Sequence, residues 1–424
     1  MLIAGVFRDG DLVHLAAAGS SAAPGGAARV ANVQSRIGSI SKTFTAALVM
    51  GLRDEGLIDL DEPLATHLPA LKLGRLTPRN LLAHLSGLQR EPDGAWWERN
   101  PGVDIPTLIA AIAPSAAIHT PLRTFHYSNL GYGLLGALVT SVTGETFTEA
   151  LTSRICKPLG LDRTSYTPAD PYLPGYVIHP HTNLMREEPR EDARAMAPAG
   201  QIWSTVTDLG AWATFIADPA RATSPAVLAP ATVEEMCMPM AITDQDSWSS
   251  GHSLGFQMWR KYDRVYVGHT GSMPGYVAVL MIHRSSRTAV VAFANTYSSL
   301  GGVSIGGLGI QLLTAVLENE PVATRPWRPT ATEPPPEVTP LLGPWWWMGE
   351  QFDVSWNGEL VVNESSHPES AWRFALDAAG DWRCHSGMND GETLRVNHDA
   401  AGVPIELDIA TFIFSRDPWP DEVR

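Results

Sequence analysis

Lysine is scarce in this chain of 424 residues, and acidic residues outnumber basic ones. The chain has four lysines, which do not form a basic cluster: Lys42, Lys72, Lys157 and Lys261. With 30 basic and 45 acidic residues, the formal net charge is −15. Such a field repels phosphate backbones and anionic lipid headgroups. We therefore expect neither nucleic acid nor a membrane among the partners of this protein.

Cysteine is equally rare. The chain has three cysteines, none of them in a C-x-x-C pair: Cys156, Cys237 and Cys384. This count argues against a disulfide framework and against cysteine-ligated zinc. His179 and His181 lie near Glu187 and Glu188, but Pro180 makes the spacing awkward for a metal, and no H-E-x-x-H motif is present. We expect no metal and no cofactor.

Long apolar runs are missing as well. No stretch of 18 uninterrupted apolar residues occurs, and GYGLLGALVTSVTG comes closest but is short and rich in glycine. Near the N-terminus, Arg8 and Asp9 interrupt the apolar run before a signal-peptide core forms. The sequence therefore predicts a soluble, cytoplasmic protein with no membrane partner.

The overall composition is typical of a globular protein. The hydrophobic fraction is 44% and the charged fraction 18%, enough to bury a large core. Apolar runs with turn residues between them predict strands at 2–7, 12–17, Tyr276–Ile282 and Thr288–Ala294. Helical spacing of apolar residues predicts helices at Phe44–Leu52, Leu130–Val142, Phe147–Ile155 and Val303–Glu318. We expect an α+β fold, in which an antiparallel sheet flanked by helices carries an inserted helical region.

The composition changes after residue 320. Residues 321–340 hold seven prolines in twenty residues, which is typical of a stiff, extended linker. Short β-like runs then recur through residues 341–424, with turn residues between them. We expect an α+β domain at 1–320, a proline-rich linker at 321–340 and a small β-barrel domain at 341–424.

One motif points to nucleophilic catalysis. Ser39-Ile40-Ser41-Lys42 stands directly before an apolar helix, and on a helix Lys42 lies one turn after Ser39 on the same face. A serine hydroxyl needs a base to become a nucleophile, and a desolvated lysine can be that base. The same pattern also fits a serine N-cap followed by a surface lysine, so the motif alone leaves both readings open.

Two further segments carry suitable groups. Tyr127-Ser128-Asn129 precedes a predicted helix, where Tyr127 offers a phenolic proton and Asn129 an amide that orients substrate or holds Lys42. The segment from His269 through Thr270 and Gly271, at a sheet edge, offers a titratable ring, a hydroxyl and a close backbone approach to substrate. Taken singly, the first segment also fits a core tyrosine with a helix cap. The second also fits a glycine-rich loop or an edge strand with a solvated histidine.

Together the three motifs are similar to those of the serine hydrolases of the penicillin-binding-protein and class C β-lactamase superfamily, which carry S-x-x-K, Y-x-N and K-T-G or H-x-G in this order. LTPRNLLAHLSGL, MAPAGQIWSTVTDLGAWATFI and GHTGSMPGY also resemble the family's sequences, and the resemblance covers about residues 2–318. It implies that Ser39 is the acylated nucleophile, that Lys42 and Tyr127 share proton transfer, that Asn129 positions substrate and that His269 replaces the basic residue of the third motif.

The resemblance also implies an oxyanion hole made by the backbone N–H groups of Ser39 and Ser272. His269 departs from the lysine of K-T-G, which helps β-lactamases and transpeptidases to bind a carboxylate. The H-x-G form is similar to the D-aminopeptidase, esterase and acyl-transferring branches, with Thr270 and Gly271 as candidate substrate-binding residues.

From this resemblance we expect a serine acyl-enzyme hydrolase or acyltransferase. Its substrate would be a cytoplasmic ester, thioester, peptide or other amide, with specialised metabolism as the expected setting, and the acyl group would pass to water or to an amine. A small molecule, a peptide or a carrier-bound donor would be the partner. A D-amino-acid-preferring peptidase or esterase is the alternative, with a β-lactamase or a binding protein without turnover ranked below it.

The C-terminal module resembles the lipocalin-like β-domains appended to some family members, including penicillin-binding-protein-type thioesterases. We hypothesise that this module helps to select the acyl donor or the attacking nucleophile. Arg416, after the last predicted strand, is a candidate for binding a substrate carboxylate, although a surface arginine explains it as well.

Overall fold

A computed structural model describes residues 1–19, 30–221, 227–297, 302–322 and 333–419 of the chain. The chain divides into two compact units, Met1–Val322 and Ala323–Arg424. Residues 323–332 of the predicted linker lie outside the described residues.

An antiparallel sheet forms the centre of the first unit. The strands of this unit are Leu2–Arg8 (β1), Asp11–Ala18 (β2), Ser35–Arg36 (β3), Tyr176–Ile178 (β4), Met185–Glu187 (β5), Trp203–Ser204 (β6), Ala241–Ile242 (β7), Ser250–His252 (β8), Gln257–Lys261 (β9), Arg264–Met273 (β10), Tyr276–His283 (β11) and Thr288–Ala294 (β12). Eight of them form one sheet in the order β2-β1-β12-β11-β10-β9-β8-β7. The N-terminal hairpin thus pairs with a strand from the end of the unit, with Leu2 opposite Ala294. The expected α+β fold is confirmed.

The central strands are buried on both faces, because helices cover each side. On β11, alternate residues belong to separate apolar clusters: Ala278, Leu280 and Ile282 face one, and Val277, Val279 and Met281 face the other. This period of two follows from the strand pleat. The first cluster includes residues of a helix at Val206–Ala217, and the second includes residues of a helix at Ile305–Asn319.

The helical region lies between β3 and β7 in the chain. The described helices of the unit are Ser41–Asp54 (α1), Pro78–Leu82 (α2), Ile105–Ala111 (α3), Asn129–Thr143 (α4), Phe147–Leu151 (α5), Lys157–Leu159 (α6), Ala197–Gly200 (α7), Val206–Ala217 (α8), Pro230–Met236 (α9) and Ile305–Asn319 (α10). Side-chain caps set several starts: Thr77 accepts from the Asn80 amide at α2, and Ser128 accepts from the Gly131 amide at α4. The single helix predicted over Phe147–Ile155 instead continues after α5 as a π-helical turn at Thr152–Cys156.

The second unit is a closed barrel of eight antiparallel strands. They are Gly343–Trp347 (β13), Glu350–Trp356 (β14), Leu360–Glu364 (β15), His367–Leu376 (β16), Trp382–Cys384 (β17), Thr393–His398 (β18), Pro404–Ile409 (β19) and Phe412–Ser415 (β20). Pairing of Trp346 with Ser415 closes the barrel. Its core is apolar and includes Trp345, Phe352, Phe374 and Phe414.

Among the residues that the structure describes, none of the helices combines the length and the apolar character needed to cross a membrane.

Candidate active site

Ser39 stands at the junction between a tight turn and helix α1. The turn Gly38–Ile40 is a 3₁₀ turn, and α1 begins at Ser41 without a break in helical backbone. Lys42 therefore follows Ser39 by one turn, and its ammonium nitrogen Nζ lies 2.9 Å from Ser39 Oγ. Ser39 itself is only partly buried. The S-x-x-K spacing thus places a basic group against an accessible hydroxyl.

Lys42 is completely buried, which changes its protonation. Nζ also donates to the backbone oxygen of Ala199 in α7, at 2.7 Å. The aromatic rings of Tyr127 and Tyr132 lie 5.0 and 5.4 Å from Nζ. Burial lowers the pKa of Lys42 to about 7, against a weaker opposing effect of nearby carboxylates. At neutral pH a substantial fraction of Lys42 is a free amine, which is the form that can accept the Ser39 proton.

Tyr127 has the opposite protonation tendency. Burial raises the pKa of Tyr127 well above its ordinary value, and the smaller opposing effect of the neighbouring Ser39 hydroxyl does not offset it. The phenol therefore keeps its proton at neutral pH. Lys42 and Tyr127 thus present a base and an acid to the same serine hydroxyl, and environments that push two pKa values apart in this way define the acid and base roles.

Asn129 is the first residue of α4 and is held by the segment before it. Its Nδ2 donates to Glu91 Oε1 at 2.7 Å, and its backbone amide donates to the Arg90 oxygen at 2.8 Å. The side-chain oxygen Oδ1 is buried without a hydrogen-bond partner among the described residues. The expected contact with Lys42 is not among these bonds, and the free oxygen suits the expected role in positioning substrate.

The third motif lies on β10. Pairing with β9 ends at Gly268, whereas pairing with β11 continues to Met273. His269 is completely buried, and its Nδ1 contacts the Thr270 oxygen at 2.5 Å. Burial, strengthened by His252 and Lys42, holds the pKa of His269 well below its usual range. His269 is therefore a neutral, buried ring. The alternative that this histidine is solvated does not hold.

Glycine allows β10 to pass against the nucleophile turn. Gly38 has a φ of +53°, and a Cβ there would lie 2.5 Å from the Ser272 nitrogen. A Cβ at Gly271 would lie 1.9 Å from the Ile37 oxygen and 3.2 Å from the Ser39 nitrogen. A side chain at either position would separate the two segments. Because Gly38 and Gly271 have no side chains, the backbones of Ser272 and Ser39 can lie side by side.

A cavity of about 470 Å³ opens at Ser39. Its lining includes the predicted residues Ser39, Tyr127, Asn129, Thr270, Gly271 and Ser272. It also includes Arg90 and Glu98, which sequence reasoning did not single out. Burial, followed by the neighbouring Glu91 carboxylate, raises the pKa of Glu98. No motif or periodicity marks these two residues, because tertiary folding alone brings their segment to the serine.

Arg416 lies in the barrel unit. Its guanidinium donates to the backbone oxygens of Pro340, Leu342 and Pro344 and lies 4.0 Å from the centre of the Trp345 ring. These contacts give Arg416 a structural role, and its contact with a substrate carboxylate stays a prediction.

Among the described residues, no group of three or more histidine, cysteine, aspartate or glutamate side chains is arranged to hold a metal ion. His179 and His181 lie in an exposed turn between β4 and β5, and Glu188 instead forms an ion pair with Arg99.

The comparisons with known proteins agree with this geometry. The sequence profile of the Beta-lactamase family matches residues 2–312. This chain belongs to that family. It is a family of serine hydrolases that also includes proteins like the penicillin-binding proteins, so the resemblance stated from the sequence is confirmed. Residues 334–416 match a separate profile, described as Domain of unknown function (DUF7586).

Individual relatives are distant. Protein flp of Staphylococcus aureus (strain N315) is 22% identical over 272 residues, covering 62% of this chain and 53% of that protein. The chain thus matches about half the length of this curated relative. A D-stereospecific amidohydrolase from Streptomyces sp. has a TM-score of 0.60 at 24% identity, covering 76% of this chain and 94% of its own. The structure of SurE has a TM-score of 0.60 at 24% identity, covering 98% and 94%. These structural likenesses support the fold.

Proposed function

We propose that the chain is an acyl-enzyme hydrolase or acyltransferase that acts on an ester, thioester or amide through Ser39. The contact of the Ser39 hydroxyl with a buried, partly deprotonated Lys42 carries this proposal. A serine hydrolase of this fold needs a base at the nucleophile, and Lys42 lies at hydrogen-bonding distance in the required form.

The reaction would proceed in two halves. Ser39 Oγ attacks the substrate carbonyl while its proton passes to the Lys42 amine, and the resulting oxyanion accepts hydrogen bonds from the Ser39 and Ser272 amides. Tyr127 then protonates the leaving group as the bond to it breaks, and takes back a proton from Lys42. The ester left on Ser39 is attacked by water or an amine, with the same groups acting in reverse order.

The test is the intact mass of the protein after mixing with acyl donors. The panel holds a D-aminoacyl ester, a peptidyl thioester, a methyl ester and a penicillin, each with and without an added amine. We expect an adduct on the wild type that Ser39→Ala lacks and that Ser285→Ala, in an exposed turn, retains. Faster clearance of the adduct with amine would indicate acyl transfer, whereas equal clearance would indicate hydrolysis. No adduct and no turnover with any donor would contradict the proposal.

One observation favours the D-amino-acid-preferring peptidase or esterase as a second candidate. Glu98 lines the Ser39 cavity, and within the described residues no lysine or arginine forms an ion pair with it. A half-buried carboxylate of this kind suits the ammonium group of an aminoacyl substrate. One structural neighbour is itself a D-stereospecific amidohydrolase.

This candidate has its own test. Acylation rates are compared for D- and L-aminoacyl esters with a free or an acetylated amine. We expect Glu98→Gln to lower the preference for the free amine by about tenfold, in line with the loss of one charged contact. Equal preference in wild type and variant would exclude this role for Glu98. The cytoplasmic location, the setting in specialised metabolism and the carrier-bound donor stay predictions.

A further inference from the structure

His84 is a buried histidine to which the proposed reaction assigns no proton transfer and no contact with substrate. It lies in LTPRNLLAHLSGL, two residues after α2 ends at Leu82, and its side chain is inaccessible to solvent. Its backbone has a φ of +56°, in the left-handed region that non-glycine residues seldom adopt. Such backbone strain persists only where surrounding contacts enforce it. The contacts of His84 show what enforces it here.

His84 holds the chain on both sides of Tyr127. The backbone amide of His126 donates to the His84 oxygen at 2.9 Å, and the amide of Ser128 donates to His84 Nδ1 at 3.0 Å. Between these two bonds, the ring of Tyr127 lies against the imidazole, with 4.2 Å between ring centres and 31° between planes. One residue thus fixes the backbone before Tyr127, the backbone after it and its ring.

The bond to Ser128 also sets the tautomer of His84. Because the Ser128 N–H is a donor, Nδ1 must be the unprotonated nitrogen, and the proton of the neutral ring lies on Nε2. Protonation of Nδ1 would set two N–H groups against each other and break the bond.

The surroundings of His84 oppose that protonation. His252 on β8 lies with its ring centre 4.6 Å away, Tyr132 on α4 lies 5.1 Å away, and Lys42, His269 and Arg90 contribute positive charge when protonated. Burial is the larger cause that holds the pKa of His84 well below its usual range. The acceptor at Nδ1 is therefore maintained at neutral pH.

We propose that His84 is the positioning residue for Tyr127, which it holds against Ser39 through an acceptor at Nδ1. The proposal rests on the proposed function, since it assigns Tyr127 to proton transfer during acylation of Ser39. In this role His84 acts through Tyr127 and is not itself a catalytic residue.

Two variants separate positioning from packing. His84→Asn keeps an acceptor near the Nδ1 position and tolerates a positive φ, whereas His84→Leu keeps much of the volume without an acceptor. The rate of Ser39 acylation by a p-nitrophenyl ester is measured by stopped flow, and KM in the steady state. We expect His84→Leu to lower the rate by about a hundredfold with KM within threefold, as for a misplaced catalytic group. His84→Asn should stay within about tenfold of the wild type.

Equal rates in His84→Leu and the wild type would overturn the proposal. Equal losses in the two variants would also overturn it, because packing rather than the acceptor would then be responsible. A wild type that acylates with no donor would contradict the proposed function instead.

A second measurement does not depend on activity or on the folding of His84→Leu. Nitrogen-15 NMR of the wild type, with His84 assigned by its loss in His84→Asn, reports the tautomer at pH 7. We expect the neutral ring with its proton on Nε2. A proton on Nδ1 would leave no acceptor for Ser128 and would overturn the proposal.

Discussion

The first unit buries Lys42, His84, His252 and His269, whereas the barrel core buries aromatic and aliphatic side chains. Among the described residues of the barrel unit, Asn389 is the polar side chain that is buried. Arg416 and Lys42 differ in their partners. The Arg416 guanidinium donates to three backbone oxygens, whereas Lys42 Nζ donates to one backbone oxygen and to the Ser39 hydroxyl.

This difference distinguishes buried side chains that contribute to packing from buried side chains that contribute to the proposed chemistry. Burying an amine or an imidazole costs free energy that an apolar side chain of similar size would not cost. The barrel core avoids this free-energy cost, so we expect its buried side chains to contribute to stability rather than to catalysis. The first unit accepts this cost near Ser39, and the partly deprotonated Lys42 that results is what the proposed acylation requires. Substitutions in the two places should therefore have opposite effects on activity and stability.

The largest expected effect is that of Lys42→Met on activity. Without the amine, no base remains next to Ser39 Oγ, and we expect the acylation rate to fall by at least about a thousandfold. The free energy of unfolding at pH 7 should not fall, because the variant removes a desolvated amine. Stopped-flow acylation and chemical denaturation measure the two quantities. Lys72→Met, at an exposed position, is the control, and a stability loss without an activity loss would contradict the comparison.

The converse substitution lies in the barrel. Trp345 is completely buried and its Nε1 donates to the Leu341 oxygen at 2.7 Å. We expect Trp345→Ala to destabilise the barrel by about 3–5 kcal/mol and to leave Ser39 acylation by a small ester within twofold, because all groups of the proposed machinery lie in the first unit.

Calorimetry of the full chain measures the barrel prediction. Trp346→Ala is the matched control, since the next residue of a strand points to the other face and Trp346 is only partly buried. An equal loss of stability in both variants would show that the barrel core is not where the structure places it.

A smaller effect concerns the pH dependence of stability. Burial lowers the pKa of His252 to about 4 from an ordinary value of 6.5. Between these two pH values the unfolded chain holds a proton that the folded chain does not, so stability falls as pH falls. One such group contributes up to about 1.4 kcal/mol per pH unit. We expect His252→Gln to reduce the slope of the unfolding free energy between pH 6 and 4.5 by about that amount.

His181→Gln, at an exposed position, controls for the general effect of losing a histidine. An unchanged slope in His252→Gln would mean that His252 is not buried as a neutral ring.

The sequence predicted those features that depend on short-range geometry. Ser39 and Lys42 are three residues apart, so helix geometry alone brings them together. The position of Tyr127 rested on the family resemblance, because nothing local links it to Ser39. Individual short strands are harder to locate: β17 has three residues, too few to show a period of two in the sequence.

Other site residues were beyond sequence reasoning for a physical reason. Ala199 contributes a backbone oxygen, which any residue type provides, and Glu98 is one of 45 acidic residues. His84 lies in LTPRNLLAHLSGL, yet its proposed role depends on a positive φ and on hydrogen bonds to residues more than 40 positions away. Tertiary contacts of this kind leave no periodic pattern in the chain.

The central claim is that neutral Lys42 is the base for Ser39, and the pH dependence of acylation tests it most directly. The single-turnover rate with a p-nitrophenyl ester would be measured by stopped flow from pH 5.5 to 9.5. With the pKa of Lys42 at about 7, the rate should fall tenfold per unit well below that pH and level off above pH 8. A rate that is flat across this range, or that keeps rising to pH 9.5 as it would for an ordinary lysine, would contradict the account.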